Sequence, residues 1–288
     1  MAQAGVDRPD DTPSSAARPQ SRSPWARGLV CVALLPLLGF IGQQGQTLWG
    51  EWRELRSDRV AARANAVIGY VNINPIPSYA SRPADWFHHD GEEALLWAGW
   101  RDGADRWFRF GRREFDGRGL SLPIGRDAIQ AIDRPIFEQG GGPRWQRIPD
   151  EAPVVGLELD GGPAAYPLRV LEKVVAVNDR AGDRPILVVF TPSQRAVSVF
   201  EAAEHGRRVI MGHSGYFIGH RPLLFDRATE SLWVEREAEL TAMAGRRKGT
   251  NLKRIARIAP VDWGIWRGGH PGGRLLIGAD RSKSPPVD

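Results

Sequence analysis

The chain has 288 residues, 42% of them hydrophobic and 25% charged, with a net charge of +5 and a single cysteine. That length supports one substantial core plus appendages, and that composition excludes a wholly disordered or fibrous chain. The lone thiol, Cys31, excludes an intrachain disulfide, a multi-cysteine metal site and a redox pair. The basicity is nearly all arginine and is scattered. Its densest cluster, Arg246-Arg247-Lys248 with Lys253, Arg254 and Arg257, has no interleaved aromatic residues for base stacking. Nucleic acid is therefore disfavoured as a partner.

Residues 1–27 are rich in Ala, Ser, Pro, Arg and Asp and cannot bury enough apolar surface to fold, so a disordered cytoplasmic segment is expected there. No charge falls between Arg27 and Glu51, and Trp25 and Trp49 flank that interval. At a rise of ~1.5 Å per residue it crosses a hydrocarbon core of about 30 Å. Residues 28–50 therefore read as a single-pass membrane anchor or an uncleaved signal. A cleaved signal peptide competes with this reading, but Gly39, Gly42 and Gly45 form no Ala-x-Ala-like site. Arg18, Arg22 and Arg27 precede the interval and favour a cytoplasmic N-terminus. The expected location is the cell membrane, with the globular part on the extracytoplasmic side.

Residues 51–72 carry a narrow apolar stripe that includes Trp52, Leu55 and Ala62, which predicts a juxtamembrane helix, and Asn74-Pro75-Ile76-Pro77 ends it. Residues 73–279 are expected to be one β-rich globular domain of the α+β class with short antiparallel strands. In its first part, Leu95 to Trp100 and Arg106 to Phe110 flank Asp102-Gly103, a hairpin signal. The interleaved Arg and aromatic residues there read as sheet faces. Phe137 to Trp145, with three consecutive glycines, reads as a flexible loop.

The densest strand signals run from Ala152 to Glu201. Val154 to Leu159 is followed by Asp160-Gly161, a tight-turn dipeptide, and by Ala164 to Leu168, where Pro163 and Pro167 predict an edge or irregular strand. Ile186 to Phe190 is a continuous apolar run, expected to be buried on both faces, and Ala196 to Phe200 follows it. Between them lies the turn Thr191-Pro192-Ser193-Gln194-Arg195. Further on, Arg208 to Met211, Leu223 to Phe225, Ser231 to Val234 and Arg274 to Ile277 read as strands. Leu252 to Ile258 and Asp262 to Arg267 read as short helical or irregular pieces, and residues 280–288 as a frayed tail.

Several of these stretches together resemble the bacterial family named domain of unknown function 3179. They are Tyr166-Pro167-Leu168-Arg169-Val170-Leu171, Val177-Asn178-Asp179, Pro192, Gly212 with Ser214-Gly215, and Leu224-Phe225-Asp226-Arg227. Ser231-Leu232-Trp233, Trp263-Gly264-Ile265-Trp266-Arg267 and His270-Pro271 complete the set. The resemblance covers about residues 124–277. Members carry a Cys-Pro-Leu-Cys-Gly-Thr turn and a nearby His, which implies thiol or soft-metal chemistry. Here Thr191 and Gln194 occupy the Cys positions, Arg195 the Gly and Val174 the His. The resemblance thus implies a dismantled site, expected to be lined by Val174, Asn178, Asp179, Thr191, Pro192, Gln194 and Arg195. His213, Ser214 and His220 stand near it as candidate rim residues.

Other chemistry is weaker. Gly212-His213-Ser214-Gly215 lacks the Gly-x-Ser-x-Gly spacing of a nucleophile elbow. His88-His89-Asp90 would point to opposite faces of a strand. Asn178-Asp179 reads first as scaffold that caps turn donors and only second as a ligand group. No cofactor and no metal are expected. The overall reading is a membrane-anchored, extracytoplasmic, non-catalytic binding or structural module of unidentified ligand. The alternative is an enzyme that repurposed the pocket through Arg195, Asp179 and His213 or His220.

Overall fold

The computed structural model describes residues 83–101, 103–121, 124–280 and 282. The expected cytoplasmic segment, the anchor with Cys31 and the juxtamembrane helix lie outside them, as do residues 73–82 and 283–288. Among the described residues no helix is long and apolar enough to cross a membrane.

The first three strands, β1 (Phe87–Asp90), β2 (Glu93–Arg101) and β3 (Ala104–Gly111), form an antiparallel meander, with β2 and β3 in the expected hairpin. The chain then runs through β4 (Leu120–Ser121), β5 (Pro135–Gln139) and the short helix α1 (Pro143–Arg147). The stretch expected to be a glycine-rich loop is therefore strand up to Gln139, a turn over the three glycines and helix from Pro143. Gly140 is required there because a Cβ would collide with the Pro271 carbonyl.

Hairpin β6 (Pro153–Leu159) and β7 (Gly162–Pro167) turns at Asp160-Gly161 as the sequence predicts. β7 is not an edge strand, however. It lies between β6 and β19 (Arg274–Ala279), in the sheet order β18-β6-β7-β19-β5, with β18 spanning Val261–Asp262. Its pairing with β19 is confined to Ala164 and Ala165, so no ladder donor toward β19 is required of Pro163 or Pro167. Helix α2 (Leu168–Val174) follows, then β8 (Ala176–Ala181) and β9 (Arg184–Thr191). A 3-10 turn, Pro192–Gln194, leads into β10 (Ala196–Glu201). After the short pair β11 (Ala203–Glu204) and β12 (Arg207–Arg208), five strands meander: β13 (Met211–Ile218), β14 (Arg221–Asp226), β15 (Leu232–Arg236), β16 (Glu239–Ala244) and β17 (Asn251–Ile258). Helix α3 (Trp263–Gly269) leads to β19.

β17 replaces the helical or irregular piece expected at Leu252 to Ile258. Its pairing with β10 shifts between Val199 and Phe200, so Phe200 faces Arg254 and Val199 faces Ala256. The bulge breaks the period of two, and Ile255 and Ala256 pack on the same core. Their spacing mimics a helix for that reason.

The main sheet is ordered β4-β13-β14-β15-β16-β17-β10-β9-β8 and is antiparallel throughout. It curls on itself. Each of the eight strands β8 to β10 and β13 to β17 sends a side chain into one interior cluster, from Ala176, Val189 and Phe200 round to Met211, Leu224, Trp233, Leu240 and Leu252. Its outer face is covered twice. The β5–β7 and β19 sheet with the three helices packs on Val188, Phe190, Val197 and Val199, and the β1–β3 meander packs on Tyr216, Phe225 and Val234. Fully burying such side chains stabilises the fold by about 1.5–3 kcal/mol each. The described residues make one β-rich domain of short, mostly antiparallel strands.

Candidate functional site

The barrel seam explains the Val-Asn-Asp stretch. No backbone ladder joins β8 to β13; the side chain of Asn178 does that work. Its Nδ2 donates to Met211 O at 2.8 Å and its Oδ1 accepts from Met211 N at 2.9 Å, a side-chain copy of a strand pair. Nδ2 also donates to Asp133 Oδ1 at 2.7 Å, and Asn178 is 1% exposed. The segment before β5 fills the rest of the seam: Ile132 N bonds Ala176 O and Asn178 N bonds Ile132 O, while Asp127 N bonds His213 O.

An ion network continues from Asp133. Arg227 Nη2 lies 3.0 Å from Asp133 Oδ2, and its Nη1 donates to Asp127 at 2.9 Å. Arg126 pairs with Glu230 and sits 4.3 Å above the Phe225 ring. Burial opposes the Arg227 charge, but Asp127 and Asp133 outweigh it and hold the guanidinium above its ordinary pKa. Burial raises the Asp133 pKa, against the pull of Arg227. Asp226, fully buried, accepts from Thr229 N at 2.7 Å, from Thr229 Oγ1 and from Trp233 Nε1 at 3.0 Å, and so locks the β14–β15 loop.

Asp179 is held on the outer side. Tyr166 Oη donates to its Oδ2 at 2.6 Å, and Arg274 lies 3.5 Å away. Burial first, then the Asp179 charge, push the Tyr166 pKa well above its ordinary value, so the phenol stays a donor. Two of the stretches singled out in the sequence thus grip each other.

The structure separates the expected pocket residues. Val174 ends α2 and packs with Val188 and Phe190 on the outer face of β9. Thr191 continues the opposite, inward set of Leu187 and Val189. Val174 and Thr191 therefore do not share a patch, because successive residues of a strand face opposite sides. Pro192, Gln194 and Arg195 are exposed on the turn. Arg195 sits at φ 45° and Gln194 Oε1 accepts from Arg257.

The interior end near this turn is polar. β8 and β13 run antiparallel with Asn178 beside Met211, which puts Ala176 level with His213. Ala176 pairs with Val189, so Thr191 is one inward step from the His213 layer. Ser198, paired with Val189, donates to Glu235 Oε1 at 2.6 Å, and Arg254 donates to the same oxygen at 2.8 Å. His213 is fully buried. Its Nδ1 accepts from Gly215 N at 3.1 Å, so the neutral ring carries its proton on Nε2, which has no partner among the described residues. Burial lowers its pKa from 6.5 to about 4. Thr191 Oγ1 is likewise buried without a partner among the described residues. Beside it Val175, a β-branched residue, is held at φ 61°, ψ −39°, with its carbonyl bonded to Phe190 N. Ser214 is buried and donates to Leu223 O at 2.6 Å, so it is no nucleophile. His220 is exposed in the β13–β14 turn. Gly215, at φ 96°, lies so close to Gly125 that a Cβ would strike its carbonyl.

A cleft of about 370 Å³, lined by Glu158, Asp160, Arg184 and His270, is absent from the sequence-based expectations. The signals were the Asp160-Gly161 and Gly182-Asp183 turns and the His270-Pro271 pair. Their meeting is long-range and could not be read from spacing. Among the described residues no group of three or more His, Cys, Asp or Glu side chains is placed to hold a metal ion.

These features define an eight-stranded barrel domain whose seam is closed by a buried amide. Residues 126–285, more than half of the chain, match the family described as Protein of unknown function (DUF3179), and the chain belongs to that family. No curated protein and no solved structure matches it.

Proposed function

We propose that the chain is a membrane-tethered, extracytoplasmic binding module whose ligand meets the polar end of the barrel, at a site descended from thiol or soft-metal chemistry. The observation that carries this is a pair of buried polar groups at that end, Thr191 Oγ1 and His213 Nε2, which have no partner among the described residues. A buried polar group left unsatisfied costs about 1–3 kcal/mol, and a strained residue such as Val175 a similar amount. Such costs concentrate where function tolerates them.

A repurposed enzyme is less well supported. Asp179 is committed to Tyr166 on the outer side, His213 faces inward and His220 is exposed, so no catalytic grouping with Arg195 forms. The tether rests on the uncharged 28–50 interval behind three arginines. Protease added to intact spheroplasts should remove a C-terminal tag. Full protection of the tag in intact spheroplasts, with cleavage after lysis, would sink the extracytoplasmic assignment.

A further inference from the structure

We propose that the cleft between β6, β9 and α3 binds a small zwitterion of the α-amino-acid type. The cleft is separate from the barrel end and is built by three chain turns. The Asp160-Gly161 and Gly182-Asp183 turns touch: a Cβ on Gly161 would meet Gly182 N at 2.5 Å, and both glycines hold positive φ. His270, at the C-terminal end of α3, makes the third wall. Its volume of about 370 Å³ suits a small molecule.

The wall chemistry is of two signs. Glu158 and Asp160 lie two residues apart and are exposed, with side chains 70% and 77% accessible. Arg184 Nη2 is 3.3 Å from Asp160 Oδ2, and the side chain is 36% accessible, so its guanidinium reaches the cleft. His270 is fixed: Nδ1 lies 2.8 Å from Trp266 O, Nε2 lies 2.9 Å from Glu158 Oε1, and the ring stacks on Trp266 at 4.8 Å. Both of its ring nitrogens thus face oxygen acceptors. Leu159 and Pro163 supply apolar lining.

A cation alone would meet Arg184 and His270, and an anion alone would meet Glu158 and Asp160. A zwitterion satisfies both sets, with its carboxylate on the Arg184 fork and its ammonium between the two carboxylates. The existing pairs do not bar it, because exposed ion pairs are worth about 0–1 kcal/mol and are displaced easily.

Calorimetric titration of the full chain with L-leucine, L-leucinamide and N-acetyl-L-leucine tests this. L-Leucine should bind, and each singly charged analogue should bind at least about tenfold more weakly. Arg184→Gln should weaken L-leucine to the level of L-leucinamide and leave L-leucinamide unchanged. Equal binding of all three probes, tighter binding of a singly charged one, or no binding of any at about 10 mM would overturn the proposal. Because the comparison is among ligands of the unaltered chain, it does not depend on the variant's folding. Failure here leaves the barrel-end reading standing.

Discussion

His213 provides the sharpest test of the barrel interior. Its ring is fully buried, and burial lowers its pKa from 6.5 to about 4. Between those values the unfolded chain binds a proton that the folded chain does not, so stability rises with pH across that window. The contribution is full above pH 6.5 and is lost as pH falls through about 4. At about 1.36 kcal/mol per pKa unit, the loss attributable to His213 is about 3 kcal/mol. His213→Asn keeps an acceptor for the Gly215 N–H and removes the titrating group. Urea unfolding of both chains from pH 8 to pH 3.5 should give profiles that run parallel at high pH. They should converge or cross as the wild type loses that ~3 kcal/mol. Asp133 has a raised pKa, so it acts in the opposite direction, favouring the folded state at low pH. It is present in both chains and cancels in the difference. Parallel profiles over the whole range would refute the buried, neutral His213.

Two further outcomes follow from the same geometry. Asn178→Ala removes the amide that pairs with both main-chain groups of Met211 and with Asp133, and should cost about 3–5 kcal/mol by urea unfolding. Asn178→Asp should not rescue it, since a carboxylate would face Asp133 and the Met211 carbonyl; a loss below about 1 kcal/mol in either variant would show that the seam closes without the amide. Thr191 and Gln194 bracket the 3-10 turn, and turn ends lie within about 7 Å, the range a disulfide spans. T191C/Q194C should therefore form a disulfide under mild oxidation, read by mass, and persistently free thiols would show that the turn no longer has the geometry of the family's cysteine pair.

Much of the sheet structure was legible locally. Asp160-Gly161 marked its hairpin, and the run from Ile186 to Phe190 marked a strand covered on both faces. The errors have physical causes. β17 was disguised by a bulge opposite Val199 and Phe200, and β7 escaped its prolines because only two residues between them pair with β19. The candidate site was legible as a turn but not as a place. Val174 and Thr191 are close along the chain's path yet on opposite faces of β9, which residue spacing across a helix and a strained Val175 does not reveal. Asn178 reads as a turn cap, and only a partner 33 positions away shows it to be a seam. The cleft at His270 needs residue pairs as far apart as 112 positions.

On the proposed reading, the barrel end binds its ligand without thiol or metal chemistry. Elemental analysis of the full chain, purified without chelator and then exposed to zinc and copper, decides this. Neither metal should be retained stoichiometrically after desalting, by wild type or by His213→Asn. A stoichiometric metal held by the wild type and lost in His213→Asn would contradict it.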